Sequence, residues 1–246
     1  MSVAPSPAGA ELASADASRP VLILGMHRSG TSCLAGCLEE AGLYLGEVNT
    51  AAPFNKKGNR ENRSVMALND SVLERAGAAW DAPPPAAPTW DGSERAALDA
   101  IVAEYPADKA WGLKDPRVLL TLDVWIEALK PRFVGTFRHP DEVCASLRRR
   151  AKAWKTPLGA DEALDLWIAY NSRLVAHYER NPFPVLRYDQ PAEAYRDKVR
   201  AVARALDLPA PDAISFLDPD LKHESADAPA PERCRGLWDR LTAIAV

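Results

Sequence analysis

Short, wholly apolar runs alternate along this chain with longer stretches in which apolar residues recur every three or four positions. Val21–Leu24 is an apolar run closed by Gly25, and apolar or β-branched runs near 110–113, 132–137 and 184–188 have the same build. Runs this short and apolar read as strands buried on both faces. Between them the period changes. From Thr31 onward, Leu34, Cys37, Leu38 and Ala41 fall on one helical face, and Gly42 is the stop. Over 161–178, Leu164, Trp167, Ile168, Asn171, Leu174, Val175 and Tyr178 repeat at helical spacing, with Asp161 as the expected cap. Val65, Leu68, Val72 and Leu73 predict a helix after the polar loop 49–63, and further helices are predicted over 93–104, 192–206 and 237–244. The segment DAPPPAAPTWD, 81–91, has four prolines and reads as a lid or surface crossing, and 209–231 reads mostly as loop. Strands separated by helices predict an α/β fold: a mainly parallel central sheet flanked by helices, a P-loop-like three-layer sandwich. No internal repeat is present.

The first strand runs into GMHRSGTS, a glycine-bounded loop that opens a helix. A helix N-terminus presents unpaired N–H groups and the positive end of the macrodipole, so the junction is suited to an anion. The pattern of nucleotide triphosphatases would place Lys and then Ser or Thr after the second glycine. Here those positions hold Thr31 and Ser32, and the cation, Arg28, lies inside the loop. The segment RHPDEVCAS follows another strand: Pro140, Asp141 and Glu142 suit a helix's first turn and Arg148, Arg149 and Arg150 its end, while Val143 and Leu147 share a buried face. Arg138 at the strand end and Ser146 on the helix can meet on one phosphate. In WGLKDPR, Pro116 stops the strand, so Lys114 and Asp115 belong at its carboxyl end, where open α/β sheets place ligands.

These segments resemble the sulfotransferases that use 3'-phosphoadenosine 5'-phosphosulfate (PAPS). GMHRSGTS is similar to their 5'-phosphosulfate loop, Arg-x7-Ser with His-Pro after the arginine to their 3'-phosphate site, and KDPR to a string common in bacterial relatives. The resemblance extends over most of 20–225. It implies that His27, Arg28, Ser29, Gly30, Thr31 and Ser32 cradle the 5'-phosphate and that Arg138 and Ser146 select the 3'-phosphate. Arg28 and Lys114 would stabilise the leaving group. Tyr188, in VLRYDQ, resembles the family's strand-end tyrosine near the adenosine, and Lys222 and His223, in FLDPDLKHES, a basic loop near the nucleotide. GNREN resembles a Gly-x-x-Glu of bacterial relatives and makes Glu61 the first choice of catalytic base, with Asp115 and His27 as alternatives. Cys33 departs from the many cytosolic members that carry an aromatic there, so adenine stacking from that position is not expected. The implied reaction moves a sulfuryl group from PAPS to a hydroxyl or amine of a carbohydrate, lipid-linked or other small-molecule acceptor, without bound metal. A small-molecule kinase or a noncatalytic nucleotide-binding protein is the competing reading.

Composition narrows the setting. Of 246 residues, 47% are hydrophobic and 26% charged, the balance of a globular domain. Net charge is −4, which gives no support for nucleic-acid binding, although 148–155 is a local basic stripe that reads equally as a solvated face. No apolar run approaches a membrane span, and the Ala-, Ser- and Pro-rich residues 1–18 read as a disordered leader before a single domain over 19–246. A cytoplasmic protein is expected. The four cysteines and four histidines show no metal-site spacing, so the thiols are expected reduced and no metal is implied.

Overall fold

The computed structural model describes residues 19–53, 55–211, 213–218 and 228–246. The expected leader 1–18, Lys222 and His223 lie outside the described residues. Four parallel strands form the sheet: β1 (Val21–Leu24), β2 (Gly112–Lys114), β3 (Arg132–Phe137) and β4 (Val185–Arg187), in the order β2-β1-β3-β4. The register pairs Ile23 with Lys114, Leu24 with Gly135, and Phe137 with Arg187. All four strands therefore end at the same edge.

Alternation along the strands sends side chains to two cores. Val21, Ile23, Val134 and Leu186 pack with Leu34 and Leu38 of α1 (Thr31–Glu40) and Val199 and Val202 of α7 (Ala192–Ala205). Leu22, Leu24, Phe133, Phe137 and Val185 pack on the other side with α2 (Arg63–Arg75), α3 (Gly92–Ala103), α4 (Val118–Leu129), α5 (Pro140–Ala153), α6 (Ala160–Arg180) and α8 (Arg235–Ile244). The result is three layers. The chain leaves β1 toward β2 on one side and leaves β3 toward β4 on the other, so the loops after β1 and β3 diverge. This divergence opens the crevice in which α/β sheets of this kind hold ligands.

Side-chain hydrogen bonds explain some helix starts, and one expectation is corrected. α3 starts with a reciprocal capping box, Asp91 Oδ1 accepting from Glu94 N at 2.9 Å and Glu94 Oε2 from Asp91 N at 2.8 Å. α6, however, begins at Ala160, one residue before the predicted cap. The Glu162 carboxylate accepts from Gly159 N at 2.8 Å, while Asp161 turns outward to Arg233 at 3.0 Å. Asp161 is thus inside the first turn, where its charge still suits the dipole. α4 is missing from the sequence expectation because VLLTLDVWIEAL is apolar around most of its circumference and has no side-chain cap. The proline-rich 81–88 is a crossing pinned to α6: Tyr170 Oη donates to Trp80 O at 2.8 Å, and Arg173 donates to Pro84 O.

Candidate active site

The loop after β1 is built by a turn in which Ser29 N donates to Met26 O at 3.3 Å, with Arg28 at φ 67° and Gly30 at φ 87°. A Cβ on Gly30 would lie 2.3 Å from the Tyr188 ring, so close packing as well as backbone conformation requires glycine there. Gly30 is also the N-cap of α1 and gives no side-chain cap. The first N–H groups of the helix have no intrahelical acceptor and face the crevice end of the sheet. Ser29 is buried, and its carbonyl accepts from Thr136 Oγ1 at 3.2 Å, which fastens the loop to β3.

Across the crevice, β3 ends at Phe137, Arg138 follows directly, and α5 begins at Pro140. Arg28 Nε donates to Ser146 Oγ at 2.9 Å, joining the β1 loop to α5. Arg138 donates to Glu142 at 2.9 Å and lies over the Tyr188 ring at 5.6 Å. Its carbonyl accepts from Trp167 Nε1 at 3.0 Å, so α6 braces it from behind. Burial, and next the nearby Arg138, lower the pKa of Arg28 from its ordinary value. Two guanidiniums forced together in this way favour an anion between them.

A cavity of about 400 Å³ opens here. It gathers Arg28, Gly30, Thr31, Ser32, Arg138, Ser146 and Tyr188 from the predicted set. It also contains residues that sequence reasoning missed: Asn55, Lys56, Lys57, Arg149 and Phe216. Lys56-Lys57 before Gly58 in a polar loop was the available signal for the first group. Phe216 had none, being one apolar residue in an irregular segment. Its ring packs on Gly36 of α1, with Lys57 and Arg60 over it at 5.1 and 4.8 Å. Among the described residues, the lining has five cationic side chains (Arg28, Lys56, Lys57, Arg138, Arg149) against one carboxylate, Asp218. In a chain of net charge −4 this concentration is local and marks an anion site.

Beside the cavity, Lys114 at the end of β2 is buried and makes three contacts: Glu61 Oε1 at 2.5 Å, Asn59 O at 3.0 Å and Ser32 Oγ at 3.5 Å. The buried Glu61 is thereby tied to the start of α1 through a single ammonium. Asp115 has different surroundings. Its carboxylate accepts from Asn69 Nδ2 at 3.0 Å and from Arg117 N and Nη1, each at 3.0 Å. Asn69 in turn accepts from Thr121 Oγ1 at 2.7 Å and Trp125 Nε1 at 3.0 Å, so Asp115 joins a network that locks α2 to α4. His27 is not among the residues that line the cavity; its ring is 4.8 Å from Trp80 and 6.0 Å from Tyr170. Its Nε2 is buried and, among the described residues, has no hydrogen-bond partner. Burial, then the charges of Arg117, Lys114, Arg150 and Arg28, push the His27 pKa well below its ordinary value, so the imidazole is neutral.

An α/β crevice with a phosphate-type loop and a cation-lined cavity suits an anionic ligand, and the family to which the chain belongs comes from comparison with known proteins. The family model described as "Sulfotransferase family" matches residues 20–212, and the chain belongs to that family. It is an enzyme that catalyses sulfuryl transfer. Among solved structures, a sulfotransferase from Alicyclobacillus acidocaldarius shares the fold, at 17% identity and TM-score 0.52, over 82% of this chain and 88% of that one. The sulfotransferase domain of the Synechococcus PCC 7002 olefin synthase matches at 17% identity and TM-score 0.46, over 92% and 88%. The sulfotransferase STF1 from Mycobacterium tuberculosis H37Rv matches at 16% and 0.44, over 79% and 68%. No curated protein matches the chain. Among the described residues, no helix is long and apolar enough to cross a membrane.

Proposed function

We propose that this enzyme takes its sulfuryl group from PAPS and delivers it to a hydroxyl of a carbohydrate or similar hydroxylated small molecule. The observation that carries the reading is the ring of five cations around one cavity at the open N-terminus of α1. PAPS bears anionic groups at both its 5' and 3' positions, and the cavity has two cationic walls to receive them. The N–H groups of Thr31 and Ser32, with the Arg28 guanidinium, suit the 5'-phosphosulfate. Arg138, Arg149 and Ser146 suit the 3'-phosphate, and Tyr188 and Phe216 supply the apolar surfaces for a base. PAPS, when bound, supplies the activated sulfuryl group.

The protein's own part is charge and proton handling. Lys114 reaches both Ser32 of the phosphate loop and Glu61, so one ammonium is shared between the place where leaving-group charge develops and the carboxylate proposed as base. Glu61 is preferred to Asp115, whose oxygens already accept from Asn69 and Arg117. His27, neutral and with its Nε2 unpartnered, is the alternative proton acceptor.

The test is label transfer in the presence of a chelator. With sulfur-labelled PAPS and a panel of hydroxylated acceptors, the label should move to an organic product as 3',5'-adenosine bisphosphate accumulates. Phosphoryl transfer from ATP and magnesium to the same panel, with no sulfuryl transfer, would contradict the proposal.

A further inference from the structure

Ser146 and Arg149 of α5 line the nucleotide cavity, and from Ser146 a stripe continues through Arg150 to Trp154, the C-cap of the helix, at steps of four residues. The stripe starts at the Arg28 contact of Ser146 and runs outward. The Arg150 guanidinium lies 3.9 Å from the Trp154 ring centre and 5.9 Å from that of Trp80, whose other neighbour is His27. Trp154 is 49% exposed, unusual for the largest side chain.

A solvated helix face would not look like this. Arg150 is half-buried, its Nε is sealed from solvent without a hydrogen-bond partner, and among the described residues no carboxylate is within ion-pair distance of it. Burial, and then the positive charge of Arg28, lower its pKa, with Glu61 acting in the opposite direction. A guanidinium placed over an indole face can still offer its N–H fork to a carboxylate or phosphate. The ring of Trp154 beside it offers an apolar platform for a flat face of the same ligand.

We propose that Arg150, set between Trp80 and Trp154, recognises an oxyanion on the sulfate acceptor, which is therefore an acidic sugar: a hydroxylated ring with its own carboxylate or phosphate. This rests on the sulfuryl-transfer reading and deepens it by naming the acceptor class.

Three ligands with one ring and one aglycone separate the alternatives: 4-nitrophenyl β-D-glucoside, the corresponding glucuronide, and the glucoside 6-phosphate. Each is titrated by calorimetry into the full chain, with and without saturating 3',5'-adenosine bisphosphate. At least one acidic ligand should bind about tenfold or more tighter than the glucoside, its identity separating carboxylate from phosphate. Arg150→Gln should bring it to within about twofold of the neutral ligand, and Trp154→Ala should weaken all three. Arg150→Lys retains the aliphatic stem and the charge but loses the fork, and it should lose most of the preference. Equal binding of neutral and acidic ligands, binding of none, or a preference undiminished in Arg150→Gln or Arg150→Lys would overturn the proposal. Failure to bind 3',5'-adenosine bisphosphate would instead count against the donor reading, and the titrations without nucleotide keep the two results apart.

Discussion

Arg28 is a non-glycine residue at φ 67°, a conformation that costs on the order of 1–3 kcal/mol and persists where surrounding contacts enforce it. Here the contact is the Arg28 Nε–Ser146 Oγ hydrogen bond of 2.9 Å, which ties the β1 loop to α5. Arg28→Ala should lower turnover about 10²-fold or more while leaving the circular dichroism spectrum intact. Unchanged steady-state turnover in the folded variant would remove Arg28 from the mechanism. Glu61→Gln preserves volume but removes the basic oxygen facing Lys114. Single-turnover measurements should show the chemical step depressed about 10²-fold with nucleotide affinity little changed, and most strongly for alkyl alcohols, whose proton is hardest to lose. If the variant keeps normal single-turnover rates, the base lies elsewhere, and His27 is the next residue to replace. That Arg138 and Ser146 line one cavity was legible because both lie within one strand-helix unit. The environment of Asp115 was not, since Asn69, Thr121 and Trp125 reach it only through the packing of α2 on α4.

At the scale of elements, Asn62 links stability to the site. It is the N-cap of α2, its Oδ1 accepting from Ser64 N at 2.9 Å and Val65 N at 3.3 Å, and its Nδ2 donates to Tyr105 Oη at 3.3 Å. Glu61 is the residue before it. Asn62→Ala should cost about 1–2 kcal/mol in urea unfolding and, by freeing the backbone at Glu61, reduce turnover as well. A variant destabilised by that amount with turnover unaffected would separate the cap from the positioning of Glu61. Four strands and most helices were readable because buried parallel strands are continuous apolar runs and the amphipathic helices keep a clear period. α4 has no such contrast between faces. The start of α6 was read one residue late because the carboxylate that caps it belongs to Glu162, while Asp161 is taken by Arg233.

For the whole molecule, the strand order β2-β1-β3-β4 brings Lys114, the phosphate loop and Arg138 to one edge from segments far apart in sequence. That convergence follows from each motif standing directly after a strand. Lys57 and Phe216 could not be read the same way, since they reach the cavity from irregular segments placed by tertiary contacts, Lys57 Nζ donating to Phe216 O at 2.7 Å. The buried neutral His27 also has a global consequence. An unfolded histidine takes up a proton near pH 6.5, whereas the folded ring, with its pKa well below that, stays neutral. The stability it contributes is present above about pH 6.5 and is lost as pH falls toward the lowered folded value, by up to about 1.4 kcal/mol per pH unit. Urea titrations at pH 7.5, 6.5 and 5.5 should show this decline, and His27→Gln should flatten it; an equal slope in both proteins would assign the decline to other groups.

A cation-lined cavity that takes a nucleotide with phosphate at both ends of its ribose, as proposed, has a plain calorimetric signature. In the presence of a chelator, 3',5'-adenosine bisphosphate should bind at least about tenfold tighter than ATP does with magnesium, and Arg138→Ala should erase most of the advantage over 5'-ADP. Tighter binding of ATP with magnesium, or an Arg138→Ala variant that loses equal affinity for nucleotides with and without the 3'-phosphate, would rule out a 3'-phosphate site at Arg138 and PAPS as the donor.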